Sequence, residues 1–387
     1  MPSRVPSAAL AGLAPGQAIH FGHSFLVVNI AGLRFALDPA TETGYLAAPF
    51  SNLTATAATP LRSYQPLVDP AGLLPSAEAL AEHVDVVLYS HLHADHFNAA
   101  LLARMLRAQP GLQALWPAGA PQLLRPPRRP LAGWGQSAAA ALNRLPWADN
   151  VPAGLQEYLA SAPLELPAGR THEVDDGWVR ILRARPLVGV RAFAVRHPRP
   201  LLWVRTPWEA AVPPVLGYEI FYEEGETLRS VLLVGESSTD PEVLYQIWAS
   251  RERLVSVFAP ADQMPGLPGV SWLYDSYFHA SPRLLALAEK LVGPRTSLHG
   301  LHHGLWLYTL TEGDLERERR RLAWPRAARG PAAGLPEALR ASRAARELSW
   351  QAVGRFQALL ARLRQAGLEA GGHVTFTAMG QAFALGG

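Results

Sequence analysis

The sequence predicts a layered α/β domain, and three observations carry that prediction. Short apolar runs of strand length alternate with amphipathic runs of helical period along much of the chain. The run "VDVVLYS", residues 84–90, is short, continuous and Val-rich, the pattern of a strand buried on both faces. Residues of metal-ligand type follow apolar runs in both halves of the sequence, so one domain accounts for them better than two.

Composition narrows the class. The chain has 387 residues, 49% of them hydrophobic and 17% charged, too apolar for disorder and too evenly mixed for a membrane protein. No stretch reaches the about 18 to 20 continuous apolar residues that span a bilayer. The opening "MPSRVPSAALAGLAPGQA" carries one arginine and an Ala/Leu run broken by Pro and Gly, which makes a poor signal peptide. Residues 1–18 are therefore read as a flexible lead-in, residues 19–387 as the domain, and the protein as soluble and cytoplasmic. There are no cysteines, which excludes disulfides, thiolate nucleophiles and Cys-type zinc sites. Any metal must be held by nitrogen and oxygen. The formal net charge of +3 is spread along the chain, so no nucleic-acid partner is expected.

The elements follow in order. "FLVVNIAGLRFAL" predicts a hairpin, with strands around Phe25–Ile30 and Leu33–Leu37 joined at Ala-Gly. After the Val-rich strand, "FNAALLARMLRAQPG" predicts a helix with Leu101, Leu102, Met105 and Leu106 on one face and Pro110-Gly111 as the stop. Residues from about 110 to 185 are rich in Pro, Trp and Ala and are read as a long insertion or lid. Within it "RPPRRP", residues 125–130, is read as a solvated loop in preference to a phosphate or anionic-lipid patch. Strands resume at "GWVRILRARPL", "VRAFAVRH", "LLWVR", "GYEIFYEE" and "SVLLVGE". "SPRLLALAEKLVG" predicts a helix with Ser281 as N-cap and Pro282 at its first position. "RTSLHG" follows as a strand. A helix over about 335–366 carries Leu348, Ala352, Phe356, Leu359, Leu360 and Leu363 at helical spacing, packed on the domain or at a dimer contact, which leaves room for a homo-oligomer. "HVTFTA" is a last strand. No internal repeat of fixed period is visible.

The chemistry centres on "SHLHADHF", residues 90–97, between the buried strand and the helix. His91 and His93 are two apart at the end of an extended segment, so their side chains can point the same way. Asp95 and His96 follow as the chain turns. The loop can thus serve two adjacent metal ions, and so dense a set of ligand types directly after a buried strand is read as a metal site and not as a solvated turn. Further ligands must come from elsewhere. The candidates follow apolar runs: His197 after "VRAFAVR", Glu236 after "SVLLVG", and His299, His302 and His303 in "RTSLHGLHHG". His20 and His23 are read as structural, and His83, His172 and His373 as histidines without a role.

These motifs, in this order, resemble the metallo-β-lactamase superfamily over most of the chain. That family combines an H-x-H-x-D-H loop, a lone His after a strand, an acidic residue in a G-D-[ST] context and a final His. The hairpin, with Gly22-His23 before it and Asp38-Pro39 after it, resembles the branch of ascorbate-6-phosphate lactonase and N-acyl-phosphatidylethanolamine phospholipase D. "FHASPRLLALAEKLVG" resembles that branch's late H-x-x-P helix start, and "TFTAMGQAFAL" its closing strand pair.

The resemblance implies a four-layer αββα sandwich with a dinuclear metal site at one edge between the sheets. It implies His91, His93 and His197 on one metal, Asp95, His96 and His302 on the other, and Glu236 bridging. The metals would be two divalent ions, zinc first, with iron or manganese as alternatives. His302 takes the last position because Gly304 and Trp306 follow as in the family; His303 is the alternative. Asp95 and His279 are the catalytic candidates, Asp95 orienting the nucleophile and His279 contacting substrate. Asp38 braces a loop or a metal-binding histidine from outside the metal. The implied activity is hydrolysis of an ester, lactone, amide or phosphodiester in a small or lipid-like substrate by a metal-bridging hydroxide.

Two departures stand out. Glu236 occupies a place where the family carries Asp, which brings in an iron-dependent oxidoreductase or oxygenase as the alternative activity. The separation of His96 from His197 is long for the pattern and fits the Pro-rich insertion. A binding protein without activity is the third reading, and the presence of a ligand-type residue at every motif position argues against it.

Overall fold

"FLVVNI" and "LRFAL" do form the expected hairpin: strands β2 (Phe25–Ile30) and β3 (Leu33–Leu37) pair antiparallel, with Ile30 opposite Leu33. Ala31 and Gly32 make the turn with positive φ, 50° and 88°. The computed structural model describes residues 5–22, 24–39, 74–91, 96, 99–118, 169–195, 215–235, 241–261, 282–301, 359–361, 363–368, 374–377 and 380–386. Around the hairpin a seven-stranded sheet is built in the order β14-β1-β2-β3-β4-β5-β6, with β1 at Gln17–Gly22, β4 at Val86–Leu88, β5 at Gln113–Pro117, β6 at Thr171–Val174 and β14 at Ala382–Ala384. A second seven-stranded sheet runs β13-β12-β11-β10-β9-β8-β7. Its strands are β7 (Val179–Ala184), β8 (Leu187–Val195), β9 (Val215–Glu224), β10 (Thr227–Val234), β11 (Leu254–Pro260), β12 (Ser297–Leu301) and β13 (Val374–Thr375).

Three separate hydrophobic cores make four layers. Alternate residues of each strand point to opposite faces, and both faces are apolar. In β2, Leu26 and Val28 join the inner core with Phe35, Leu115, Val190, Ile220, Leu233 and Phe258, while Phe25 and Val27 point outward. Outside the first sheet, helices α1 (Val5–Ala11), α2 (Ala77–His83) and α3 (Ala99–Ala108) supply Leu10, Leu80, Leu101, Leu102 and Met105. Outside the second, α4 (Pro241–Ser250) and α5 (Pro282–Leu291) supply Val243, Ile247, Leu284 and Leu285. Leu359, Leu360 and Leu363 of the expected C-terminal helix pack there too. This is the αββα sandwich the motifs imply. Among the described residues no helix is long and apolar enough to cross a membrane.

The two sheets share a plan that has no counterpart in a sequence repeat. Each begins with antiparallel pairings, β1-β2-β3 and β7-β8-β9-β10, and continues with parallel ones, β3-β4-β5-β6 and β10-β11-β12-β13.

Several elements differ from expectation. Within the lead-in expected over residues 1–18, helix α1 forms, with Leu10 and Leu13 0% and 2% exposed: the Ala/Leu run is an apolar face laid on the sheet. The same stretch ends in β1, whose "QAIHFG" mixes polar and small residues and lacks the β-branched density of its neighbours. The span 110–185 contributes β5, β6 and β7. Arg170 ties its later end to α3, donating from Nη2 to the carbonyls of Leu106 and Gln109, both at 2.6 Å, where the helix leaves acceptors unsatisfied. The closing strands do not pair with each other. β13 joins β12 and β14 joins β1, one in each sheet. Helix α3 stops before Pro110, and α5 starts at Pro282 as expected. "LLWVR", "RPPRRP" and the cap Ser281 lie outside the described residues.

On the outer face of the second sheet Glu219, 1% exposed in β9, accepts hydrogen bonds from Arg191 Nη2 at 2.7 Å and Arg253 Nε at 2.8 Å. Arg191 also donates to Gln246 of α4, which fastens the helix to the sheet. Burial works to raise the Glu219 pKa, and the hydrogen bonds and charges of Arg253 and Arg191 outweigh it, holding the carboxyl below its ordinary value.

Candidate metal centre

The edge where the two sheets meet is organised by one buried carboxylate. Asp38 ends β3 with a φ of 43°, a left-handed conformation that Asp tolerates better than most residues. Its backbone N–H donates to Leu88 O at 2.9 Å, at the end of β4. Its Oδ1 accepts from the Ser90 backbone N–H at 2.7 Å, and its Oδ2 from the Ser90 hydroxyl at 2.6 Å. The same Oδ2 lies 2.8 Å from His96 Nδ1. A carboxylate only accepts, so His96 carries its proton on Nδ1 and its lone pair on Nε2. Ser90 Oγ is 2.9 Å from His91 Nδ1, and the His91 and His96 rings lie 4.2 Å apart between centroids. Asp38, Ser90, His91 and His96 are all 2% exposed or less.

The second sheet is keyed to this group. Gly235, directly after β10, has no room for a side chain: a Cβ there would stand 2.2 Å from Asp38 Oδ2 and 2.9 Å from Ser90 Oγ. Its carbonyl accepts from the Ser24 hydroxyl at 2.7 Å. From the start of β9, the Leu216 N–H donates to Ser90 O at 2.8 Å and the Tyr218 hydroxyl to Tyr89 O at 2.8 Å. Burial, and less strongly the charge of Asp38, holds the phenols of Tyr89 and Tyr218 above their ordinary pKa. Strands β8, β10, β11 and β12 all run in one direction, so their C-terminal ends share an edge. β8 ends at Val195, two residues before His197; β10 is separated from Glu236 only by Gly235; β12 ends at Leu301, immediately before His302.

Of the expected ligands, His91 and His96 are brought side by side. His93, Asp95, His197, Glu236 and His302 lie outside the described residues, as do His23, His279, His303 and His373. Among the described residues no group of three or more ligand-type side chains could hold a metal. Asp38 braces His96, the part expected of it. Ser90, Ser24, Gly235 and Tyr218 were not expected; for Ser90 and Gly235 the one signal was their position directly before His91 and Glu236. The donor set suits a divalent cation: buried imidazoles with a carboxylate fixing the ring from outside are the usual second layer of a metal site, and nitrogen and oxygen ligands without thiolate accommodate zinc, iron or manganese.

The remaining described histidines are elsewhere. His83 lies 3.3 Å from the Ser7 hydroxyl, and His172 in β6 faces Arg180. Burial, then the Arg180 charge, lowers the His172 pKa. His20 is 1% exposed in β1. His299 does not reach the sheet edge; it stacks on Phe258 at 4.5 Å and lies 5.2 Å from Phe383, and neither ring nitrogen has a hydrogen-bond partner among the described residues. Burial, then the charge of His20, lowers its pKa from 6.5 to about 3. A depressed histidine pKa means that the unfolded chain takes up the proton first. The stability contributed by neutral His299 is therefore complete above about pH 6.5 and is lost progressively as pH falls toward 3, by about 2 kcal/mol at pH 5. Denaturation of wild type and His299→Leu at pH 7 and pH 5 checks this. The wild type is expected to lose about 2 kcal/mol more than the variant over that interval, and equal losses would refute it.

The two sheets with helices on their outer faces form the sandwich of the metallo-β-lactamase fold. The sequence matches no protein-family model and no curated protein. Among solved structures, the chain is similar to an isothiocyanate hydrolase from Delia radicum gut bacteria, with a TM-score of 0.51 and 11% identity over 96% of this chain and 99% of that one. It also aligns with a structure from Veillonella parvula described as a possible metal-dependent hydrolase (TM-score 0.48, 13% identity, 96% of this chain and 100% of that one). A third is CmlA, a diiron β-hydroxylase from Streptomyces venezuelae, with a TM-score of 0.46 and 15% identity, where 96% of this chain covers 55% of that one. At these identities the likeness concerns the fold.

Proposed function

We propose that the protein is a metal-dependent hydrolase acting on an ester, lactone, amide or phosphodiester. The observation that carries the reading is the Asp38–Ser90–His91–His96 cluster, buried at the edge where β8, β10 and β12 also end. His91, His93 and His197 would hold one divalent ion and Asp95, His96 and His302 the other, with Glu236 as the acidic ligand. Two such ions, when bound, supply a water of lowered pKa and a Lewis acid for the electrophile. The chain's own residues do the rest. Asp38 holds the His96 ring, Ser90 contacts the His91 ring, and Gly235 lets the strand before Glu236 approach the carboxylate. Asp95 would orient the attacking water and His279 would contact substrate. The Gly22-His23 and Asp38-Pro39 pairs support placement in the branch of the lactonase and the phospholipase D, and hence a small or lipid-like substrate.

A second reading, an iron-dependent oxidoreductase on the same fold, rests on Glu236, whose longer side chain stands where Asp is usual. Metal analysis of purified protein separates the two. The proposal expects two zinc ions per chain and turnover of ester or phosphodiester probes. Tightly bound iron with near-UV or visible absorption and no hydrolysis would overturn it. The double variant His91→Ala with His93→Ala is expected to lose most bound metal, and an unchanged metal content would remove the site.

A further inference from the structure

We infer that Ser90 is a positioning residue that fixes the ring tautomer of His91, so that the single carboxylate of Asp38 governs both histidines. The inference follows from counting one proton. The Ser90 hydroxyl has one hydrogen, and the 2.6 Å contact with Asp38 Oδ2 takes it. Toward His91 Nδ1, 2.9 Å away, Ser90 Oγ therefore has only a lone pair to offer, and the hydrogen in that contact belongs to His91. The opposite assignment, with the hydroxyl pointing at His91, leaves a serine oxygen and a carboxylate oxygen 2.6 Å apart with nothing between them. His91 is thus protonated on Nδ1 and carries its lone pair on Nε2, as His96 does.

The two rings reach this state by different routes. His96 donates to Asp38 Oδ2 directly at 2.8 Å, and His91 through the serine. The Ser90 backbone N–H, bonded to Asp38 Oδ1 at 2.7 Å, keeps the carboxylate from rotating away. Both histidines converge on Oδ2, whereas the expected metal assignment divides them between two ions. The chain thereby ties both ions to one oxygen, and the tie can be cut on the His91 side alone. That last consequence rests on the proposed metal site; the tautomer assignment does not.

The experiment reads the two separately. In metal-free, ring-¹⁵N-labelled protein, two-bond nitrogen–proton correlations are expected to show His91 and His96 both protonated on Nδ1. Ser90→Ala is expected to release His91 into a mixture of tautomers and leave His96 as it was, and Ser90→Thr, which keeps the hydroxyl, to restore His91. In equilibrium dialysis, Ser90→Ala is expected to weaken one of the two ions about 10- to 100-fold and to spare the other. A wild-type His91 protonated on Nε2 overturns the inference without need of any variant, and so does a Ser90→Ala protein whose His91 tautomer is unchanged. If the wild-type tautomers are as expected but no metal binds, the proposed function fails and the positioning of His91 by Ser90 stands.

Discussion

Glu219→Ala is expected to lower stability by about 3–5 kcal/mol, measured by chemical denaturation. The carboxylate is 1% exposed, while its partners Arg191 and Arg253 are 28% and 33% exposed. Removing it takes away the carboxylate that two guanidinium groups share, and breaks the chain of contacts that runs through Arg191 to Gln246 and α4. Arg253→Ala should cost less, because Arg191 still pairs with the carboxylate. A loss below about 1 kcal/mol for Glu219→Ala would place this group among ordinary surface pairs. The pH dependence has a definite sign. A depressed carboxyl pKa gives stability that is present above the unfolded value, near 4.5, and is lost as pH falls through the folded one. Replacing Glu219 with Gln should therefore flatten the acid side of the stability profile.

The second large effect is expected at Gly235. This residue has no positive φ, so glycine is there for space and not for backbone freedom. A methyl group 2.2 Å from Asp38 Oδ2 must push the β10 end away from the carboxylate or turn the carboxylate from its three donors. Gly235→Ala should destabilise the fold by about 1–3 kcal/mol, the usual range for overpacking. Because the same oxygen serves His96 and Ser90, metal affinity should fall about 10- to 100-fold as well. Metal titration together with denaturation tests both arms. Wild-type affinity and an unchanged midpoint would mean that the strand end yields without disturbing Asp38.

Much of this was legible in the sequence, for local reasons. β2, β3, β4, α3, α5 and β12 were visible because each is an apolar run with a clear stop: Ala-Gly after Ile30, Pro110-Gly111 after α3, Pro282 at the start of α5. The nearness of His91 and His96 was visible because both sit in one loop, although the loop's ligands were divided between two ions. What escaped depends on the rest of the fold. "THEV" and "QALWP" are too short or too polar to announce a strand, and become strands by lying beside β5 and β4. The partners of β13 and β14 are chosen across the whole chain. Ser24 and Gly235 stand 211 positions apart, and Ser90 and Asp38 stand 52 apart. Of the two hydroxyls that join these pairs, only that of Ser90 has a hint in sequence, its place directly before His91.

The separation of the last two strands bears on how the molecule is made. β14 fills the outermost place of the first sheet, with Ala384 opposite Gln17 of β1. During synthesis β1 leaves the ribosome long before the strand that covers its edge. Until residues 382–384 arrive, a nascent chain presents an open row of backbone donors and acceptors, the kind of surface that recruits strands from other molecules. Completion of the first sheet is therefore a whole-chain event, dominated by contacts distant in sequence, which is the regime of slow folding. Strand β1 must wait for β14.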